Sequence, residues 1–470
     1  MAELSVWRRM RSITDLVAAT GRLDLVDANY PFTSEPQGRL TPTHVLRRPR
    51  RGVLVGMLRF ARGLASNWRR VALPACGARP ATRFGLCYAE TQNQLQALGP
   101  VLQGSPALAV LVSNIRFLRA ETAGRVAHLF PLGLAHLASL PFLPLVLFRY
   151  WRTDGYPRQS FRYVFDRHWL AFGSYIVWRL VLRRLRPSCL ILANDHNLLN
   201  RVGLRAAADE SIPTVYMQHA AVTADFPALS CTYALLDGSD SLMKYDGGAS
   251  DTRVYLIGSP KMDGARHAAA PRPLRAGVGL CVNALDPVHE VAKTCATLRH
   301  ALGAGRVIVR PHPGTPPREA ARIARLAADL ECAWSDSKSE SSLEFLGRVD
   351  VVVAGDSSIL LEAALMNVYP LYYACSGRPL DRYGFERTGL VEAIRSIDQL
   401  VEKIRELLDG IPPVRERAKW YCDTVGTAFD GKSARLAAGL LGELIRSGEV
   451  AREGWTRIDG LRNLEAYRLP

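Results

Sequence analysis

From about residue 187 onward, short apolar runs alternate with stretches in which apolar residues recur every three or four positions. That rhythm reads as strand followed by helix. Residues 188–193 (SCLILA), 214–217, 233–236 and 253–257 (RVYLI) are predicted strands, with helices over 197–209 and 240–245. A Pro-containing stretch at 267–273 (HAAAPRP) reads as a linker, after which the rhythm restarts. Strands are predicted at 278–282, 307–309, 350–354 and 371–374, and helices at 288–302, 318–330, 358–366 and 397–408. Strands alternating with helices imply parallel sheets covered on both faces, here in two doubly wound units.

The first 186 residues are less regular. Residues 1–100 show weak periodicity, and 101–186 read as mainly helical. Residues 173–186 (GSYIVWRLVLRRLR) form an amphipathic pattern stopped by Pro187. A last helix over 432–445, with the tail after it, is expected to pack back across both domains. The division expected is therefore a helical amino-terminal region (1–186), a first Rossmann-like unit (187–266), a second (274–430) and a carboxy-terminal helix and tail (431–470).

Residues 126–148 (VAHLFPLGLAHLASLPFLPLVLF) carry no formal charge and are flanked by Arg125, Arg149 and Arg152. The run is long enough to cross a bilayer. Pro131, Pro141, Pro144, His128 and His136 interrupt a helix and burden a lipid-facing one. Three readings stay open: a spanning helix, a segment lying in the membrane plane, and a buried helical hairpin.

Composition narrows the partners. The 470 residues suffice for two cores, and 48% hydrophobic with 22% charged residues is an ordinary globular balance. The net charge of +16 comes mostly from arginine, concentrated at 7–11, 47–51 and 68–70. Such a chain can meet nucleic acid, an anionic membrane face or an anionic substrate, or simply carry solvated arginines. No zinc-finger spacing or RNA-recognition signature accompanies them, so no nucleic-acid partner is expected. The nine cysteines form no CxxC pair, which fits reduced, buried thiols and no metal site. Glu3 and Asp15 interrupt any secretory apolar stretch, so a cytoplasmic location is expected.

Candidate chemistry sits at predicted strand ends, where open parallel sheets bind ligands. After 307–309 comes Arg310-Pro311-His312-Pro313-Gly314. The prolines fix the backbone, and His312 can donate to a phosphate or protonate a leaving oxygen; a plain strand-breaking turn is the alternative. After 350–354 comes Gly355-Asp356-Ser357-Ser358, opening a helix. Gly permits close approach, Ser or Asp caps the helix, and free amides attract an anion. Glu362, one turn on, is placed to accept from ribose hydroxyls. An ordinary capped helix would look the same. Asn283 and Asp286 follow 278–282, either holding donor or closing a turn. In the first unit, Asn194-Asp195-His196-Asn197 and Gln218-His219-Ala220 end two strands. Asp195 is the first candidate for a general base, then His196, then His219; each can equally be structural. No Asp-x-Asp pair is present to hold a diphosphate-bridging metal. The leaving charge would then fall to His312, the serines and the helix start.

The pair RPHPG and GDSSILLEAALMNVYPLYY resembles the nucleotide-binding half of GT-B glycosyltransferases of bacterial surface polysaccharide synthesis. The likeness is to sialyltransferases, Kdo transferases and CDP-glycerol glycerophosphotransferases. It covers about residues 190–375. Tyr216-Met217-Gln218-His219 resembles the Gln-His-Gly loop of such enzymes, with Ala220 where Gly is usual. Residues 256–260 (LIGSP) with Asp263 resemble the closing strand of a GT-B amino-terminal domain. The resemblance implies an α/β GT-B fold of two Rossmann-like domains facing a cleft. It implies that His312, Ser357 and Ser358 bind donor, with Arg310, Pro313, Gly314, Gly355 and Asp356 around them, and that Gln218 and His219 lie on the acceptor side. The expected activity is metal-independent transfer from a nucleotide sugar, CMP-linked by preference, to a surface-glycan or lipid-linked acceptor at the inner membrane face. No cofactor is expected. The alternatives are a CDP-glycerol-type phosphotransferase, a UDP-sugar 2-epimerase-like enzyme, and a non-catalytic synthase subunit.

Overall fold

The computed structural model describes residues 14–28, 52–75, 82–114, 126–224, 226–248, 250–265, 277–283, 286–377 and 379–469. The linker expected at 267–273, the arginine runs at 7–11 and 47–51, and Arg125 lie outside the described residues.

The first domain is built on strands β1 (Gly85–Ala89), β2 (Leu108–Val112), β3 (Ala127–Leu129), β4 (Cys189–Leu192), β5 (Thr214–Met217), β6 (Tyr233–Leu236) and β7 (Arg253–Leu256). The second uses β8 (Val278–Val282), β9 (Val307–Pro311), β10 (Ala333–Trp334), β11 (Val351–Ala354), β12 (Tyr369–Tyr372) and β13 (Glu392–Ala393). The tail contributes β14 (Thr456–Ile458) and β15 (Glu465–Arg468). Among the described residues these form two sheets, in the orders β14-β15-β7-β6-β5-β4-β1-β2-β3 and β10-β9-β8-β11-β12-β13. Every pairing is parallel except β14 with β15. Central strands such as LAVLV in β2 and VVVA in β11 are buried along their whole length, which is why they read as unbroken apolar runs. Two apolar clusters face each sheet, one from either side.

The helices that matter to the site and surface are α1 (Val53–Asn67), α2 (Gln92–Gly104), α3 (Leu132–Ser139), α4 (Leu143–Arg152), α5 (Gly155–Leu185), α6 (Leu198–Asp209), α7 (Ser239–Tyr245), α8 (Val288–Leu302), α9 (Pro317–Asp329), α10 (Ser342–Leu346), α11 (Ile359–Leu365), α12 (Ile397–Asp409) and α13 (Ser433–Ser447). Past residue 187 all but α10, which the pattern did not mark, fall within a residue or two of it. β12 starts two residues early, with Pro370 opposite Val352 inside the sheet, where proline normally argues against a strand.

The first 186 residues depart from expectation. Three strands come from this region, and β1 pairs directly with β4 across residue 187. Five apolar residues in a row, as in β2, carry no periodicity that separates strand from helix. The helix read at 173–186 is the second half of α5, which runs from Gly155 with a break at Val164 and ends at a left-handed Arg186 before Pro187. Residues 126–148 split into β3, α3, a 3-10 turn at Leu140–Phe142 and most of α4. The turn forms where Pro141 and Pro144 remove helix donors.

The carboxy terminus returns to the first domain rather than lying across both. The carboxylate of Asp263 accepts from the Ser433 and Ala434 amides at 2.8 and 2.7 Å, anchoring the start of α13. β15 then extends the first sheet beside β7. Gly258, just after β7, has φ +72°, and a Cβ there would lie 2.1 Å from Thr424 Oγ1. Only glycine lets the returning chain approach so closely.

Candidate active site between the two sheets

Both parallel sheets present strand carboxyl ends to a shared cleft. A cavity of about 540 Å³ lies there, bounded by Gln92, Asn93 and Gln96 at the start of α2, by Lys261, and by second-domain residues from the ends of β8, β9 and β11. That volume suits a nucleotide-sized ligand.

On the second-domain side, His312 follows β9 at the cavity wall. Its Nδ1 accepts from the Gly314 amide at 3.0 Å, so the neutral ring carries its proton on Nε2. The ring is open to solvent, yet the surrounding protein lowers its pKa by desolvation. Geometry and electrostatics agree on a neutral ring whose Nε2–H is a donor. Pro313 lines the same wall, and Gly314 supplies the amide that fixes the ring.

Ser357 and Ser358 line the cavity, and neither hydroxyl bonds another group among the described residues. The expected serine cap on α11 is thus not made, leaving both hydroxyls for a ligand. Gly355 packs tightly, since a Cβ there would sit 3.2 Å from Asn283 Nδ2. Asp356 does not cap α11 either. Its carboxylate accepts from Tyr372 Oη at 2.9 Å and from the Leu380 and Arg382 amides at 3.2 and 2.8 Å, which braces the following loop. Arg310 borders the cavity, but its guanidinium is committed. It donates to Ser335 Oγ at 2.6 Å and to the Glu340 carbonyl at 2.9 Å, and it stacks on Phe345. It therefore holds the serine-rich loop 335–342 in place rather than reaching for ligand. Asn283 and Asp286 close a turn, with Asp286 Oδ2 accepting from the Asn283 amide at 2.9 Å. Neither belongs to the cavity wall.

Glu362 is where the domains meet. Its Oε1 accepts from Lys261 Nζ at 2.7 Å, across the cleft. Its Oε2 is buried with no hydrogen-bond partner. A buried carboxylate oxygen left open at a cavity wall is costly unless something else supplies a donor. A ribose hydroxyl fits that need. Lys261, six residues before the linker, was missed in the sequence. The signal was available: it lies shortly after a parallel strand end.

In the first domain, outside the residues that line the cavity, Asp195 and His196 form a hydrogen-bonded dyad. His196 Nδ1 donates to Asp195 Oδ1 at 2.9 Å, and Tyr245 Oη donates to Oδ2 at 2.7 Å. Asn194 Oδ1 accepts from the His196 and Asn197 amides, fixing the turn into α6, and its side-chain nitrogen lies 3.3 Å from His196 Nε2. With Nδ1 donating, Nε2 carries the lone pair, and it accepts from the Asn194 side-chain nitrogen. Burial raises the Asp195 pKa, but the bonds from His196 and Tyr245 outweigh it, so the net shift is downward. Asp195 is buried, and both its oxygens already accept hydrogen bonds, from His196 and Tyr245.

His219 lies in the same cluster with Nδ1 buried and unpartnered, its pKa lowered to about 4 by burial and by the His196 charge. Gln218 is structural: its amide joins the Asp237 amide and the Ala220 carbonyl at 3.0 and 2.9 Å. Two carboxylates were missed. Glu90 ends β1 and takes a 3.3 Å bond from Asn200, and burial raises its pKa although Arg167, Asn197 and His196 oppose the shift. Asp237 follows β6 with Oδ1 buried and unpartnered, and burial raises its pKa well above its ordinary value. Both strands had been hard to exploit in sequence: β1 was not recognised, and an Asp in a Leu-Asp-Gly turn looks ordinary.

No family model matches the chain, and no curated protein sequence does. Solved structures share its fold. UDP-GlcNAc 2-epimerase from Neisseria meningitidis, bound to UDP-GlcNAc, superposes with a TM-score of 0.52 at 12% identity, over 76% of this chain and 98% of that one. A proposed UDP-N-acetylglucosamine 2-epimerase from Listeria monocytogenes gives 0.53 at 10% identity, over 77% and 96%. A further UDP-N-acetylglucosamine 2-epimerase gives 0.50 at 12% identity, over 79% and 99%. The chain has the GT-B fold: two Rossmann-like domains facing a central cleft.

Proposed function

We propose that this protein is a glycosyltransferase that binds a nucleotide-activated sugar in the cleft and transfers the sugar to a glycan or lipid-linked hydroxyl. The observation that carries the reading is the phosphate-ready cavity wall of the second domain, with a base-ready dyad at the end of a first-domain strand. The wall holds His312 Nε2–H, the free hydroxyls of Ser357 and Ser358, and the open Glu362 Oε2. The dyad is Asp195–His196.

In this reading Glu362 accepts from the ribose, while His312 and the serines donate to the phosphate oxygens. Their donation strengthens as charge builds on the leaving nucleotide. His196 Nε2 takes the proton of the attacking hydroxyl, and Asp195 stabilises the imidazolium that results. The C–O bond to the acceptor forms as the bond from the anomeric carbon to the phosphate oxygen breaks. Activity in excess chelator is the expected behaviour, since no step here uses a metal. The nucleobase is cytosine by the sequence resemblance.

A UDP-sugar 2-epimerase is the second reading, favoured by the names of the fold neighbours. Titration calorimetry with CMP, CDP, UMP and UDP, on wild type and His312→Ala, tests the donor wall. Micromolar binding of one cytidine nucleotide, weakened at least about tenfold by the substitution, is expected from loss of a charge-assisted hydrogen bond. Preference for UDP, with a UDP-sugar isomerised in the absence of acceptor, would replace the transferase reading with the epimerase one. No binding of any of the four would leave a non-catalytic role.

A further inference from the structure

We propose that the outer face of the first domain's helical layer is a docking surface for an anionic phospholipid bilayer. The inference comes from surface composition alone and does not depend on which nucleotide the cleft binds.

The helix α1 is amphipathic in the reverse of the usual sense. Its inner side packs on α5 through Gly56 and Phe60. Its outer side carries Leu54 and Leu58, 70% and 64% exposed, and Trp68, 61% exposed, caps its end. A spacing of four residues keeps the two leucines on one face. A second stripe runs along the neighbouring helices. Leu137 and Leu140 are each 43% exposed, Phe148 51% and Trp151 72%. These positions also recur at helical intervals through α3, the 3-10 turn and α4. The two stripes are adjacent, because α1 and α3 touch: a Cβ on Gly63 would reach His136, and one on Gly133 would reach the Asn67 carbonyl. Single exposed apolar residues are ordinary, but two parallel stripes of large ones are not.

The charge along them is mostly positive, with the exposed Asp154, paired to Arg158, just past their end. Residues 53–75 and 126–152 contain no Asp or Glu, while Arg59, Arg62, Arg69 and Arg152 border the stripes. Arg69 lies over the Trp68 ring at 5.1 Å, and Arg152 over Phe148 at 5.5 Å. Tryptophan beside arginine, at the rim of an apolar strip, is the chemistry of a lipid headgroup boundary. A second copy of this chain is a poor occupant, since it would bring arginine against arginine. Anionic headgroups complement both features at once.

The surface seats on a bilayer rather than crossing it. Residues Leu132–Arg152 have the length and hydropathy of a spanning helix, but one third of that window is buried inside the domain. Val146 is completely buried, and Arg149 is tied to the Gly21 and Leu23 carbonyls, each at 2.6 Å.

The test is flotation of the full-length protein with vesicles of phosphatidylcholine, with and without about 30 mol% phosphatidylglycerol. Binding to the anionic vesicles only, released by about 0.5 M salt, is expected. A variant with Leu54, Leu58, Phe148 and Trp151 all changed to serine should lose about tenfold or more of its bound fraction. It should keep the wild-type unfolding midpoint, because all four side chains face solvent. Quenching of wild-type tryptophan fluorescence by brominated lipid gives a readout without substitution, and is expected. Equal binding of variant and wild type, equal binding to neutral vesicles, or no quenching would overturn the proposal. So would a dimer in size-exclusion chromatography that the serine variant breaks, since the face would then belong to a second copy.

Discussion

His196 gains its direction from Asp195, and Asp195 gains its charge from the bonds around it. The carboxylate sits 3% exposed, where burial favours the neutral acid, yet His196 and Tyr245 hold it ionised. Asp195→Asn keeps the shape but accepts less strongly from Nδ1–H, so it frees the ring to take the wrong tautomer. The expected result is a fall in kcat of about 100-fold or more, the scale of lost general-base catalysis. Nucleotide affinity should stay within about twofold, because the phosphate wall is untouched, and the acid limb of the pH–rate profile should move. A substitution that merely loosened the fold would change both parameters together. The residue types at this site were legible in the sequence, because they follow short apolar runs. Their roles were not: which carboxylate is sealed in and which ring is open depends on Tyr245, fifty residues away in the chain.

At the scale of the element, α5 shows what a buried titratable group does to a helix. His168 is fully buried, stacked on Phe161 with ring centroids 3.8 Å apart, and burial lowers its pKa from 6.5 to about 3. Between those values the unfolded chain binds a proton that the folded chain refuses. Stability is therefore complete above about pH 6.5 and declines as pH falls, by up to ~1.4 kcal/mol per pH unit from this group. His168→Phe retains a ring on Phe161 and removes the proton. Urea unfolding from pH 7 to pH 5 should show a shallower decline in the variant, by close to one proton. An unchanged slope would mean that other groups set the acid sensitivity. The helix itself was half visible in advance. Residues 173–186 have clean periodicity and a proline stop, whereas the amino-terminal half crosses a break at Val164 and carries Arg158, Arg162 and Arg167 amid its aromatics.

For the whole molecule, the Lys261–Glu362 pair is the contact that ties cavity to domain arrangement. Both side chains are 15% exposed, so the pair is largely shielded from solvent. Lys261→Met removes one charge and leaves the Glu362 carboxylate buried beside Asp237. Loss of one partner from such a pair costs about 3–5 kcal/mol when fully buried, and less here because some solvent reaches it. The domains should part more readily. Expected outcomes are a larger radius of gyration by small-angle scattering and weaker nucleotide binding, both restored toward wild type by Lys261→Arg. A variant with unchanged scattering and affinity would show that the other cross-domain bonds, such as Lys244 to the Tyr383 carbonyl at 2.9 Å, suffice alone.

The sequence by itself determined the α/β rhythm, the four inner strands of the second domain's sheet with their main helices, and the strand ends where chemistry sits. Those are local properties: buried parallel strands must be apolar, amphipathic helices must repeat near 3.6, and Gly, Pro and Ser mark the turns. Tertiary structure decided the rest. It recruited β1, β2 and β3 into the first sheet, because five apolar residues become a strand only when β4 offers free backbone groups to pair with. It brought β15 back beside β7 across two hundred residues. It consumed Arg310, Asp356 and Gln218 as internal struts while leaving Ser357, Ser358 and one oxygen of Glu362 open, since a polar side chain's role is fixed by which partners the fold places within reach.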